Sequence, residues 1–183
     1  MNTTPLPRTP EPELMNEAEQ ARAYAEGDFA APHAQFIALF QARFPRLVVD
    51  GRVLDLGCGP ADVTRRFALA YPHCKLDGVD GAPAMLALGQ RSNAVAGLAG
   101  RIRLIEGYLP GAALTLAAYD VVIANSLLHH LQDPQALWDA IRQHGKPGAA
   151  VFVMDLQRPF SGAEVDDLVQ RYAAALAEVV EST

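Results

Sequence analysis

Short apolar runs alternate with amphipathic segments along most of this chain. Five mainly apolar runs predict β-strands, at residues 52–57, 74–80, 101–107, 119–125 and 149–156. Apolar residues at helical spacing between and after these runs predict helices over residues 62–71, 83–92, 133–143 and 162–180. Strands that alternate with helices connect in parallel. The pattern therefore predicts an α/β fold, with a doubly wound, mostly parallel sheet that helices cover on both faces.

Two further segments precede this alternation. Residues 1–13 contain four prolines, which predict an extended arm. Residues 14–45 have apolar positions at helical spacing and predict two N-terminal helices, the second of which ends at Pro45. We therefore predict an arm, a pair of N-terminal helices and an α/β domain that spans residues 46–183.

The composition excludes several classes of protein. The 183 residues carry 15 basic and 21 acidic side chains, a net charge of −6. A duplex needs a positive protein face, so no nucleic-acid partner is predicted, and Arg65, Arg66, Arg101 and Arg103 are predicted to lie on solvated faces. Two cysteines make neither a disulfide scaffold nor a zinc pattern. No run approaches 18 apolar residues and the first residues lack an apolar core, which predicts a cytoplasmic protein with no membrane partner.

The first strand ends in the sharpest local signal, a turn with two glycines that leads into a helix. Asp55 closes the strand, and Gly57, Cys58 and Gly59 form the turn. Glycine lets a ligand approach the backbone, and open α/β sheets bind ligands at the carboxyl ends of their strands. The alternative is a tight strand-to-helix turn without a ligand. Cys58 is interpreted as a small packing residue rather than a reactive thiol.

The residue that follows this turn argues against a dinucleotide. The dinucleotide fingerprint has a third glycine where this chain has Asp62. A carboxylate at the start of a helix would repel a pyrophosphate, so a nicotinamide enzyme is disfavoured. A cofactor without phosphates and with a cationic centre suits the acidic turn better.

A second acidic residue lies at the end of the second strand. Asp80 follows Gly59 by 21 residues and can accept hydrogen bonds from both hydroxyls of an unphosphorylated ribose. Asp80 could instead cap the helix that starts near Pro83. Together with the glycine turn, the ribose interpretation is favoured.

Four motifs appear in order across residues 50–156, namely VLDLGCGP, GVDGAPAML, YDVVIANSLLHHLQDP and GKPGAAVFVMD. With them the chain resembles the class I S-adenosylmethionine-dependent methyltransferases of the small-molecule type. The resemblance implies a Rossmann-like fold, S-adenosyl-L-methionine as the cofactor and a small-molecule methyl acceptor. The sulfonium cation of this cofactor suits the acidic turn.

The resemblance also implies which residues bind the cofactor. The glycine turn would line the methionine part, the end of the second strand would hold the ribose, and residues after the second and third strands would contact the adenine. The end of the fourth strand would lie near the methionine or the methyl group. The implied cofactor-binding set is Asp55, Gly57, Cys58, Gly59, Asp80, Gly81, Met85, Tyr108, Leu109, Asn125 and Ser126. Residues 145–148 would form a turn before the fifth strand.

The chain departs from the family pattern in three places. Gly107 and Tyr108 stand where the family usually has Gly-Asp, and Ala61 replaces a common glycine. No strand hairpin follows the last helix, so we expect either a fragment or a naturally short member. The strand over 149–156 would then be an apolar edge, which favours a homodimer unless the last helix or the arm covers it.

Catalytic candidates come from the loop after the fourth strand. If the acceptor must lose a proton, His129 or His130 is the predicted base. A metal pair is not predicted, because adjacent histidines on a short loop rarely point the same way, and a structural role stays open. Tyr24 and Phe29 could form a lid over the cofactor or belong to the core.

Two functions stay open on this basis. The first is methyl transfer from S-adenosylmethionine to a small acceptor. The second is a protein that binds S-adenosylmethionine without catalysis, or a truncated methyltransferase-like protein.

Overall fold

The computed structural model describes residues 6–10, 17–27, 29–115 and 117–181. The chain divides into two units, Met1–Pro10 with Leu156–Thr183, and Glu11–Asp155. The smaller unit contains a helix at Gly162–Glu181 (α6), and its residues 6–10 form neither helix nor strand. The other residues of the predicted proline-rich arm lie outside the described part of the chain.

The described residues of the larger unit form five helices and five strands. Before the sheet come two helices, Ala18–Glu26 (α1) and Ala30–Arg43 (α2). The strands are Arg52–Leu56 (β1), Lys75–Asp80 (β2), Ile102–Glu106 (β3), Tyr119–Asn125 (β4) and Gly145–Met154 (β5). The remaining helices are Asp62–Ala70 (α3), Pro83–Val95 (α4) and Gln135–His144 (α5), so α4 runs three residues past its predicted end.

The five strands form one sheet in the order β3-β2-β1-β4-β5, and every neighbouring pair is parallel. In the middle strand β1, Val53, Leu54 and Leu56 are fully buried, because helices cover a parallel sheet on both faces. The predicted α/β class and parallel sheet are confirmed. The order reverses between β1 and β4, and the crevice outside the carboxyl ends of such strands is where these sheets bind ligands.

Each face of the sheet has its own apolar core. On one face, aromatic residues of α2 and α3 pack edge to face, with the rings of Phe40 and Phe67 centred 4.9 Å apart. On the other face, Leu137 and Ile141 of α5 pack against Leu54 and other strand residues. The helix α1 packs on α4, where Ala21 belongs to a third small cluster. Within the described residues, none of the helices is long and apolar enough to cross a membrane.

The fifth strand differs from the prediction. The segment 145–148, predicted as a turn before the strand, is part of β5, and the strand ends at Met154 rather than at 156. Between the pairs Tyr119–Gly145 and Val121–Ala150, β4 advances two residues while β5 advances five, so β5 carries an irregular bulge. The bulge accommodates Pro147, which has no N–H for the ladder, and Gly148, whose φ is +82°.

Two arginines predicted for solvated faces have internal partners instead. The guanidinium of Arg101 donates to the carbonyl oxygens of Ala68 at 2.8 Å and Tyr71 at 3.3 Å, at the C-terminal end of α3. This end of a helix has unpaired carbonyls and a partial negative charge, which explains the contact. Arg65 is half-buried and donates to the carbonyl oxygen of Pro60 at 2.8 Å.

Candidate active site

A cavity of about 480 Å³ opens at the carboxyl ends of β1, β2 and β4. All eleven residues of the implied cofactor-binding set line this cavity, and so does His130. His129 is not part of the cavity wall. The site therefore assembles where the topology of the sheet places a ligand, from segments that are far apart in the sequence.

The glycine turn after β1 has three residues in the left-handed region, Gly57, Gly59 and Ala61, with φ of +74°, +51° and +60°. A Cβ at Gly57 would lie 2.8 Å from Cδ1 of Leu127, so the turn packs closely against the loop after β4. A Cβ at Gly59 would meet nothing within 4 Å. Packing therefore requires glycine at position 57, while Gly59 leaves open space beside the backbone.

Asp80 joins the ends of β1 and β2. Its Oδ2 accepts a 2.8 Å hydrogen bond from the Gly59 N–H, and its Oδ1 accepts one of 2.8 Å from the Ala82 N–H, just before α4. Burial raises the pKa of Asp80, although these backbone bonds and the nearby His130 lower it in part. A carboxylate has about four lone-pair sites, so both oxygens can still accept from ligand hydroxyls. Ala82 is itself the N-cap residue of α4, so the bond from its N–H forms a turn before the helix and does not cap it.

Asp55 is a fully buried carboxyl on the cavity wall. The Thr64 hydroxyl on α3 donates a 2.6 Å hydrogen bond to Asp55 Oδ2. Burial raises the pKa of Asp55 to about 7 against the lowering effect of Thr64, and the charge of Asp80 adds to the rise. A cation in the cavity would favour the ionised form.

The neighbouring Cys58 is 7% exposed. Its Sγ packs against Gly78 so closely that a Cβ at that glycine would lie 2.9 Å from the sulfur. Burial, together with the charges of Asp55 and Asp80, raises the pKa of the Cys58 thiol well above its usual value. The thiol therefore stays protonated, which agrees with the interpretation of Cys58 as a packing residue.

The charge of Asp62 is matched within the chain, contrary to the sequence argument. Its carboxylate lies 2.8 Å from His33 Nδ1, 3.0 Å from Arg65 Nη2 and 2.7 Å from Arg66 Nε. The hydrogen bond from His33, followed by the contacts with Arg66 and Arg65, lowers the pKa of Asp62 despite its burial. The charge of Asp62 is therefore already balanced by side chains of the chain itself.

The N-terminal helices contribute one wall of the cavity through Tyr24 and His33. The ring of Phe29 stacks between them, with centroids 4.8 Å from Tyr24 and 5.6 Å from His33. Burial, then the charges of Asp80 and Asp62, raise the pKa of Tyr24. Of the two lid candidates, Tyr24 faces the cavity and Phe29 supports it.

The loop after β4 forms the opposite wall. Asn125 ends the strand, and Ser126 follows with φ of +55°, its N–H donating to the Met154 carbonyl at 2.9 Å. Asn125 Oδ1 is buried without a hydrogen-bond partner in the described structure. A buried acceptor without a donor is costly, so this atom fits a ligand that brings an N–H, such as the ammonium of a methionine moiety.

The two histidines of this loop have different surroundings. His130 lines the cavity, whereas Nδ1 of His129 lies 2.6 Å from Oδ1 of Asp155. The rings of the two histidines are in contact, with centroids 4.1 Å apart. Among the described residues there is no group of three or more His, Cys, Asp or Glu that could hold a metal ion.

Three residues of this site carry no role in the sequence analysis. Asp155 was detectable as the single charge in the run 149–156, directly where the strand ends. The positions of Thr64 and His33 on their helices gave no comparable signal, because their partners Asp55 and Asp62 are 9 and 29 residues away.

Comparisons with known proteins agree with this geometry. A family described as methyltransferase domain matches residues 54–151. The chain is 38% identical over 102 residues to a trans-aconitate 2-methyltransferase of Streptomyces avermitilis, across 54% of this chain and 35% of that protein. It is 30% identical over 122 residues to a carboxy-S-adenosyl-L-methionine synthase of Salmonella paratyphi C, across 64% of this chain and 48% of that protein.

Among solved structures, a Haemonchus contortus phosphoethanolamine N-methyltransferase 2 in complex with S-adenosyl-L-methionine is similar in fold. The TM-score is 0.62 at 22% identity, over 76% of this chain and 32% of that chain. The chain therefore spans about a third to a half of the length of the curated relatives named above.

Proposed function

The chain belongs to the class I S-adenosylmethionine-dependent methyltransferases, and we propose that it transfers a methyl group from S-adenosyl-L-methionine to a small-molecule acceptor. The observation that carries this proposal is the wall of the cavity. A buried carboxyl, Asp55, a half-buried carboxyl, Asp80, and the buried Asn125 Oδ1 meet at the carboxyl ends of neighbouring parallel strands.

These residues fit the cofactor by charge and by hydrogen bonding. We assign the ribose hydroxyls to Asp80, whose oxygens retain accepting lone pairs. The cationic methionine part is assigned to Asp55 and Asn125, which supply a buried charge and an unsatisfied acceptor. Met85 and Tyr108, which also line the cavity, are assigned to the adenine.

When bound, the cofactor supplies an electrophilic methyl group on a sulfonium sulfur. The contribution of this chain is to align the acceptor with that methyl group and to exclude water. For an acceptor that must lose a proton, we assign the base to the histidine pair, with His130 on the cavity wall and His129 in contact with it.

The charges of the cavity narrow the class of acceptor. Four aspartates and no lysine or arginine are among the described residues that line it. Nearby Arg65 and Arg66 already bind Asp62. A polycarboxylate would lose its hydration without gaining a cationic partner. We therefore propose an acceptor that is not a polycarboxylate, although a trans-aconitate methyltransferase is among the relatives.

A second function is supported by a different observation. The synthase relative is named for making a derivative of S-adenosylmethionine, not for methyl transfer to an acceptor, so the family fold is not limited to methyltransferases. This chain also lacks the carboxylate usual after β3, where Gly107 and Tyr108 stand. The alternative is a protein that binds S-adenosylmethionine without transferring its methyl group.

One experiment separates the two functions. The full chain is incubated with S-adenosyl-L-methionine carrying a tritiated methyl group and a panel of small phenols, amines, thiols and carboxylic acids that includes trans-aconitate. Methyl transfer to any member of the panel supports the first function, and cofactor binding without transfer to any member supports the second. Methylation of trans-aconitate contradicts the proposal about acceptor charge.

Cellular location and oligomeric state complete the proposal. We propose a cytoplasmic location, which fractionation of the source cells tests. We also propose a homodimer, because β5 forms an edge of the described sheet and presents Val151 with 37% of its surface exposed. Light scattering that finds a stable monomer at tens of micromolar protein would contradict the dimer.

A further inference from the structure

The carboxylate of Asp155 binds the loop that follows β4. Asp155 is the first residue after β5, and its Oδ2 accepts a 2.6 Å hydrogen bond from the Leu128 N–H. Its Oδ1 lies 2.6 Å from Nδ1 of His129. The side chain of Asp155 is 10% exposed, so both bonds are shielded from water. One carboxylate therefore anchors the backbone of the loop and the ring of its first histidine.

The bond to His129 selects one protonation pattern of the imidazole. An ionised carboxylate only accepts hydrogen bonds, so Nδ1 of His129 carries the proton that Asp155 receives. In the neutral ring the lone pair then belongs to Nε2. A carboxylate that holds a histidine in one tautomer and one orientation is a known way to prepare it for proton transfer.

The orientation of His129 also affects its neighbour. The rings of His129 and His130 have centroids 4.1 Å apart and planes inclined by 39°. His130 is the member of the pair that lines the cavity. A ring fixed by Asp155 therefore supports the ring that faces the ligand.

We propose that Asp155 is a positioning residue for the histidine pair, which fixes the Nδ1–H tautomer of His129 and holds His130 against the cavity. This role rests on the proposed function, because a positioned histidine pair serves methyl transfer when the acceptor must lose a proton. Asp155 is the single charged residue of the run 149–156, so no neighbouring residue of this run can replace its carboxylate.

The test is nuclear magnetic resonance on the full chain labelled with ¹⁵N-histidine. The variants are Asp155→Asn and Asp155→Ala, and Asp139→Asn is the matched control, because Asp139 is an exposed carboxylate on α5. The amide introduced by Asp155→Asn can still accept from the Leu128 N–H, but its NH₂ donates to Nδ1 of His129. We expect Nδ1–H at His129 in the wild type and the control, and Nε2–H in Asp155→Asn.

The second readout reports on His130. S-Adenosylhomocysteine is added, and the change it causes in the ring signals of His130 is measured. We expect this change to fall at least twofold in Asp155→Ala and to be retained in the control. An unchanged tautomer in Asp155→Asn, or Nε2–H at His129 in the wild type, overturns the proposal. If Asp155→Ala does not fold, the tautomer of Asp155→Asn decides alone.

Failure of this proposal is distinguishable from failure of the proposed function. The tautomer is measured without any ligand, whereas cofactor binding is measured by calorimetry with S-adenosylhomocysteine. A wild-type chain that binds no S-adenosylhomocysteine contradicts the proposed function and leaves the tautomer result valid. Tight binding with an unchanged tautomer contradicts only the role of Asp155.

Discussion

Asp77 and Asp80 lie three residues apart on β2, yet their surroundings differ. Asp77 accepts hydrogen bonds from Arg103 at 2.8 Å, Arg52 at 2.7 Å and the Tyr119 hydroxyl at 2.6 Å. Asp80 accepts from two backbone N–H groups. Burial would raise the pKa of Asp77, but hydrogen bonds from Arg103, Tyr119 and Arg52 hold it below its usual range. The pKa of Asp80 is raised, with burial the largest cause.

This difference separates a carboxylate paired with cations of the chain from one that faces a cavity. The charge of Asp77 is matched by cations of the same chain, so the group stabilises the sheet with no further partner. Asp80 and Asp55 line a cavity with little internal compensation, and such groups are stable with a proton or with a cation from outside. The carboxyl end of the sheet therefore carries the carboxyls whose charge is least compensated within the chain.

The largest predicted effect concerns the pH dependence of stability at Asp55. Its pKa is about 7 in the folded chain against about 3.9 unfolded, so the folded state binds more protons between these values. Stability therefore falls as pH rises from 4 to 7, by on the order of 4 kcal/mol from this group. Asp55→Asn should remove that decline, which urea unfolding at pH 4, 6 and 8 measures. Parallel pH profiles for both proteins would contradict the burial argument.

The next effect is the loss of the Asp77 network. Asp77→Asn removes the partner of two guanidinium groups, and breaking a buried ion pair costs about 3–5 kcal/mol. Arg103 is 61% exposed, so we expect a smaller loss of about 2–3 kcal/mol in the free energy of unfolding.

The pH dependence of this network has the opposite sign to that of Asp55. The contribution of Asp77 is present above its unfolded pKa and is lost as pH falls through its lowered folded pKa. The control is Asp139→Asn, whose exposed pair with Arg142 should cost at most about 1 kcal/mol. A loss in Asp77→Asn no larger than in the control would show that the network is not structural.

Sequence patterns single out Asp55 and Asp80, which line the cavity, but not the structural carboxylate Asp77. The glycine turn and the strand end identified Asp55 and Asp80, because local patterns carry that information. Asp77 gave no signal, because its partners Arg52, Arg103 and Tyr119 lie on three other strands and are 25, 26 and 42 residues away.

The errors of prediction have a related physical origin. The sequence predicts that Arg101 is a surface charge. In the structure, the connection that leads into β3 brings its guanidinium to the C-terminal end of α3. Asp62 has Arg65 and Arg66 at helical spacing beside it, but its third partner His33, which contributes most to lowering its pKa, lies 29 residues away. Local sequence patterns therefore predicted the elements and the turn, whereas the compensation of charges required the tertiary structure.

The smallest predicted effect compares two glycines of the turn. Gly57→Ala places a methyl group 2.8 Å from Leu127 at a φ of +74°, whereas Gly59→Ala adds one in open space at +51°. A left-handed alanine costs about 1–2 kcal/mol at either position, and the contact with Leu127 adds to the first. We expect Gly57→Ala to lower the free energy of unfolding more, as measured in urea. Equal losses of unfolding free energy in the two variants would show that the loop after β4 moves away from the new methyl group at no cost in stability.

The most direct test is calorimetric titration of S-adenosylhomocysteine into the wild type, Asp80→Ala and Asp77→Asn under identical conditions. The account predicts binding of one ligand per chain in the wild type and an affinity within twofold of it in Asp77→Asn. In Asp80→Ala, the loss of a charged hydrogen-bond partner should cost about 1.5–3 kcal/mol, which is a loss of affinity of about 10- to 150-fold. No binding to the wild type, or equal losses in the two variants, would contradict the assignment of the cavity to the cofactor.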